Sequence, residues 1–239
     1  MGQTDLRLGH RDNEMGLGKA HGPLPIFLVG LTVVTGLVDA FSYLSLAHVF
    51  VANMTGNVVF LGFGLAGAGN IAVDASLVAI LAFALGAAAG GRAAMRREPH
   101  RGHLLAAAAA TQAVLVVVAA VVAETTGVSG SATRLTLVGL LAAAMGGQNA
   151  IARRLAVPNL TTTVLTLTVT GLVADATSWS VRLWRLVPIV AMLSGALVGG
   201  ALLRWVSTPA PLWLAAALLG SVAASSFAAA RRPLSDGWR

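Results

Sequence analysis

Cysteine is absent from the chain, which excludes disulfide frameworks, thiolate catalysis and cysteine metal sites. Charge is scarce as well: 10% of the 239 residues are Asp, Glu, Lys or Arg, against about 25% in an average soluble domain. Too few charges to coat a water-facing surface exclude a soluble globular fold. A disordered chain and a coiled coil fall on the same ground. No glycine loop ending in Lys-Ser or Lys-Thr is present to cradle a phosphate, and no Gly-x-Ser-x-Gly elbow presents a nucleophile. No enzymatic activity and no cofactor are expected. What is present is apolar: 56% of the residues are hydrophobic and the mean hydropathy is +0.81. The class is a polytopic membrane protein with the lipid bilayer as its solvent.

The net charge of +7 does not point to nucleic acid. Sixteen basic residues fall in the tails or at the ends of apolar runs, where headgroups and the insertion machinery favour them, and no basic patch is interleaved with aromatics. A helical span of about 30 Å of hydrocarbon takes about 20 apolar residues. Eight segments qualify: 24–46, 49–68, 75–95, 104–123, 133–152, 159–178, 187–206 and 212–230. All eight prolines, Pro188 included, are read as lying at segment edges or in loops, as helix interiors demand. Trp179, Trp184, Trp205 and Trp213 sit at segment ends like an aromatic belt. The expected architecture is all-α, a bundle of about eight spans, with six or seven as alternatives; the second segment is also compatible with a re-entrant one. Residues 1–23 and 231–239 read as polar tails. With eight spans and both tails cytoplasmic, the basic residues split nine against seven, which leaves the orientation undetermined.

Three motifs recur in order. Asn53-Met54-Thr55-Gly56-Asn57 resembles Asn159-Leu160-Thr161-Thr162-Thr163; Gly86-Ala87-x-x-Gly90-Gly91 resembles Gly195-Ala196-x-x-Gly199-Gly200; Gly36-x-x-Asp39-Ala40 resembles Gly146-x-x-Asn149-Ala150. The spacing predicts a duplication, 24–123 and 133–230, each half of four helices. An even number of spans per half predicts two halves of the same orientation, related by an axis along the membrane normal. The paired glycines read as close helix packing.

Asp39 is the carboxylate well inside an apolar run, where an ionised group costs about 2.5–3.5 kcal/mol. It must be protonated, paired or facing a polar cavity. Thr32, Thr35, Asp39, Ser42 and Tyr43 share its helical face. Asn53, Thr55 and Asn57 in the second segment, Gln148 and Asn149 in the fifth, and Asn159 and Thr163 in the sixth complete a candidate polar centre near the midplane. The same residues also serve as interhelical glue at roughly 0.6 kcal/mol each. Asp175 reads as the interfacial partner of Arg182 and Arg185, and Glu98, His100 and His103 read as loop residues and not as metal ligands.

The stretch Thr35-Gly36-Leu37-Val38-Asp39-Ala40-Phe41-Ser42-Tyr43-Leu44, followed by Val51-Ala52-Asn53-Met54-Thr55-Gly56-Asn57, resembles the YoaK-like family of uncharacterised bacterial integral membrane proteins. Gly147-Gln148-Asn149-Ala150 and the run Thr161-Thr162-Thr163 support the likeness. The resemblance implies a bacterial inner-membrane protein; six or seven spans are commonly drawn for such proteins. Two functions follow from the residues. One is a small secondary permease or exporter of a small molecule or ion, in which Asp39 changes protonation or binds a cation. The other is a non-transporting scaffold or accessory protein, alone or as a homo-oligomer.

Overall fold

The computed structural model describes residues 24–68, 72–96, 101–155, 165–174 and 179–231. The expected tails therefore lie outside the described residues, apart from Arg231. Eight helices are described: α1 (Leu24–Ser45), α2 (Met54–Leu65), α3 (Val73–Arg96), α4 (Arg101–Thr126), α5 (Ser131–Leu155), α6 (Leu165–Ala174), α7 (Trp179–Trp205) and α8 (Ala210–Ala230). No strand occurs among the described residues, and the chain is an all-α polytopic bundle.

Six helices, α1, α3, α4, α5, α7 and α8, are long and apolar enough to cross a membrane. Segment 49–68 does not form a long helix. It is a non-helical stretch followed by the 12-residue α2, which at 1.5 Å per residue spans about 18 Å, well short of the hydrocarbon core. Of segment 159–178, the described part is the 10-residue α6. Pro188 also departs from expectation, because α7 begins eight residues earlier than its apolar run and carries the proline inside the helix. Pro209 and Pro211 sit at the start of α8, where the missing N–H has no helical partner to lose.

Helix directions follow from which residues meet. Along α1 and α7, Gly195 lies against Val33 and Gly36, Gly199 against Leu37 and Ala40, and Gly200 against Leu44. The numbers rise together, so this pair is parallel. Along α3 and α5, Gly139 faces Val78, Gly146 faces Phe83 and Ala87, and Gly147 faces Gly90, again a parallel pair. On α4 and α8 the order reverses: His103 rings against Phe227, while Trp213 Nε1 donates to Glu124 at 2.9 Å. Short links reverse the chain between α3 and α4, α4 and α5, and α7 and α8. Hence α1, α4 and α7 run one way and α3, α5 and α8 the other. The end of α1 and the start of α3 share a face, so residues 46–72 leave and return on one side. The end of α5 and the start of α7 share the opposite face.

The count of crossings decides the symmetry. Among the described residues each half holds three helices long enough to cross, not four, and α1 and α5 run in opposite directions. The same-orientation relation between halves requires an even count and does not hold here.

Glycine makes the two parallel pairs close enough to pack backbone on backbone. A Cβ at Gly36 would overlap the Met192 carbonyl, one at Gly195 the Val33 carbonyl, one at Gly86 the Ala143 carbonyl and one at Gly146 the Phe83 carbonyl. Gly91, in contrast, faces open space. Helix α1 is the most enclosed of the six, with α7 on one flank, α8 on another and α5 touching at Thr35.

Candidate functional site

Asp39 lies six residues before the end of α1, about 9 Å back along the helix. After Ser45 the chain turns sharply. Leu46 N–H donates to the Ser42 carbonyl at 2.9 Å, and Ala47 and His48 both take left-handed backbone angles, φ 54 and 56°. Non-glycine residues adopt that region only where the surroundings hold them there. The turn sends residues 49–52 back along α1, and two side chains catch them. Asp39 Oδ1 accepts the Val51 N–H at 3.0 Å and the Ala52 N–H at 2.9 Å. Asn57 Oδ1 accepts the Phe50 N–H at 2.9 Å, and its Nδ2 donates to the Phe50 carbonyl at 2.5 Å. A non-helical stretch at this depth lacks helical partners for its backbone, and these side chains supply them.

The same geometry leaves one oxygen over. Asp39 is 4% exposed, and its Oδ2 is buried with no hydrogen-bond partner among the described residues. Ser42 Oγ, one turn further along the stripe, donates to the Asp39 backbone carbonyl at 3.2 Å. Tyr43, Phe50 and Phe60 form an aromatic layer over the turn, with Tyr43 and Phe50 stacked at 4.9 Å and Phe50 and Phe60 at 6.0 Å.

A second polar group adjoins the first through one turn of α1. Gln148 Nε2 donates to Thr35 Oγ1 at 3.1 Å, and Gln148 Oε1 accepts from Gln112 Nε2 at 2.6 Å. Thr35 in turn donates to the Leu31 carbonyl at 2.9 Å. Three helices, α1, α4 and α5, are thereby tied at one level. Gln112 was not among the residues expected from sequence; its signal was the one amide in the long apolar helix α4.

The structure thus brings Asp39 and Asn57 together on one segment, and Gln148 one turn away. Asn53 and Thr55 are exposed and take no part in either network. Asn149 is half-buried, and its Nδ2 donates to the Met145 carbonyl at 2.9 Å. Asn159, Thr163 and Asp175 lie outside the described residues. Among the described residues no group of three or more His, Asp or Glu side chains gathers as a metal site.

The family described as "Protein of unknown function (DUF1275)" matches residues 27–225, and the chain belongs to that family. The chain is also similar to the UPF0700 transmembrane protein YoaK of Bacillus subtilis (strain 168), with 46% identity over 56 residues. That match spans 23% of this chain and 25% of the relative, about a quarter of the relative's length. No solved structure matches the chain.

Proposed function

We propose that this DUF1275 protein is a small secondary permease or exporter of the bacterial inner membrane, with Asp39 as the group that takes up and releases a proton or cation. The observation that carries the reading is the buried Asp39 Oδ2, left without a partner beside a non-helical backbone segment. Irregular backbone at membrane depth is tolerated where it is buried in protein or lines a cavity, and transporters build their sites from such broken segments.

The helix order supports an inverted duplication. Exchanging α1 with α5, α2 with α6, α3 with α7 and α4 with α8 converts the α3–α5 contact into the α7–α1 contact, the α4–α5 contact into the α8–α1 contact, and the α2–α3 contact into the α6–α7 contact. With three long helices in each half, such an exchange requires an axis in the membrane plane, the relation on which alternating access is commonly built. Charge supports an orientation as well. By chain order, fourteen of the sixteen basic residues belong to the face holding the start of α1, and Arg134 and Arg204 to the other. Basic residues mark the cytoplasmic side. Both tails are then cytoplasmic, and the 46–72 segment enters from outside.

The competing reading is a scaffold without enzymatic or transport activity. It is favoured by the Gln112–Gln148–Thr35 chain, whose polar atoms are engaged with one another as interhelical glue. Asp39→Asn separates the two, because asparagine Oδ1 still accepts the Val51 and Ala52 N–H groups and the segment stays in place. Proteoliposomes containing a trapped pH dye, under an imposed potassium-diffusion potential, should show proton entry with wild type and none with Asp39→Asn. Equal traces for wild type, variant and empty liposomes would sink the permease reading and leave the scaffold.

A further inference from the structure

We propose that the cleft between α3 and α4 binds an anionic phospholipid, an acyl chain lying in the cleft and the phosphate meeting arginines at its mouth. The proposal is independent of transport. Helices α3 and α4 are consecutive and joined by four residues, yet they scarcely touch; each packs instead on α5. The gap between them is a cavity of about 330 Å³, floored by α5, the lower end of the range for ligand pockets. Its walls are Gly90 and Ala93 of α3, Leu104 and Ala108 of α4, and Gly147 and Ile151 of α5, with Gln112 and Gln148 also in the lining. The two amides bond each other, and the Thr111 hydroxyl donates to the Ala107 carbonyl. The slot therefore offers mostly hydrocarbon, which suits a chain and not a polar solute.

The occupant's charge is set by the mouth. Residues three apart share a helical face. Position 96 follows Ala93 by three, Arg101 precedes Leu104 by three, and Arg154 follows Ile151 by three. Each of the three walls is therefore continued, one turn beyond its lining, by an arginine. Arg154 is exposed and Arg101 half-buried, and neither meets a carboxylate among the described residues. Two arginines of the same face are engaged within the protein: Arg231 lies over the Phe227 ring at 4.2 Å, and Arg185 bonds the Gly171 carbonyl. An apolar slot in one leaflet under a guanidinium cluster is complementary to a lipid anion.

The full-length protein is reconstituted into vesicles of equal phosphatidylglycerol and phosphatidylcholine, re-extracted in mild detergent, and its retained lipid quantified by mass spectrometry. Retained phosphatidylglycerol should exceed phosphatidylcholine by about fivefold or more. Ala108→Trp, which fills the slot, and R101Q/R154Q, which discharges the mouth, should each bring the ratio to within about twofold of parity. Arg231→Gln should leave the enrichment intact. Parity in wild type, enrichment that survives R101Q/R154Q, or equal loss in Arg231→Gln overturns the proposal. Should Ala108→Trp not assemble by circular dichroism and size exclusion, R101Q/R154Q and Arg231→Gln decide it.

Discussion

The two parallel helix pairs are built alike and surrounded differently. In both α1–α7 and α3–α5, facing glycines bring backbones into contact. Beside the first pair, α8 packs against both members; beside the second, α4 packs on α5 and stands off from α3. The first pair thus has a third helix packed on both its members, and the second borders a cavity. Their polar groups differ in the same sense. When Gly36 and Asp39 are matched with Gly146 and Asn149, the counterpart of Gln148 is Val38, which is fully buried hydrocarbon. A common frame can therefore carry a carboxylate on one side and an amide-backed cleft on the other, because the frame is held by glycine contacts that neither chemistry disturbs.

Breaking the shared element should hurt both pairs equally. Gly36→Val and Gly86→Val each push side-chain atoms into a facing carbonyl, and each should cost about 3 kcal/mol or more, read as a fall in thermal midpoint of the purified protein. Gly91→Ala, in open space, should shift stability by under about 0.5 kcal/mol. A large gap between Gly36 and Gly86 would show that the pairs are not equivalent. The surroundings are tested by adding bulk. Ala215→Leu in the fully buried face of α8 should cost about 1–3 kcal/mol, whereas Ala108→Leu, which projects into the cleft, should cost under about 0.5 kcal/mol. A pairwise coupling sharpens the polar difference. A double-mutant cycle between Gln112→Leu and Gln148→Leu should give a coupling of about 0.6 kcal/mol, the usual worth of an interhelical hydrogen bond in a membrane.

The six long helices coincide with apolar runs of the sequence, with ends displaced by a few residues up to eight at the start of α7, because hydropathy and proline placement report directly on what lipid and the helical backbone tolerate. Segment 49–68 was misleading for a physical reason. Its composition is as apolar as a span, but its first residues are paired by Asp39 and Asn57 side chains, and hydropathy does not see which group satisfies a backbone N–H. The charges held the missing information. Eight crossings divide the basic residues almost evenly, while six divide them fourteen to two, the asymmetry that insertion selects. Asp39 and Asn57 were legible because buried polarity in an apolar run needs a partner. The cleft was not legible, since alanine and glycine look the same whether they touch a neighbouring helix or face a gap.

The pairing of α1 with α7 also bears on the order of synthesis. More than half the chain separates the end of α1 from the start of its main partner, so the first helix enters the bilayer long before that partner emerges from the ribosome. Its small-residue face can wait in lipid, but a bare carboxylate beside it could not wait as cheaply. The stretch that catches Asp39 lies only 12 and 13 residues downstream, so that hydrogen bonding can form as soon as the hairpin is made. The nascent protein can thus mask its most awkward group locally and leave the long-range glycine contacts for the end of translation.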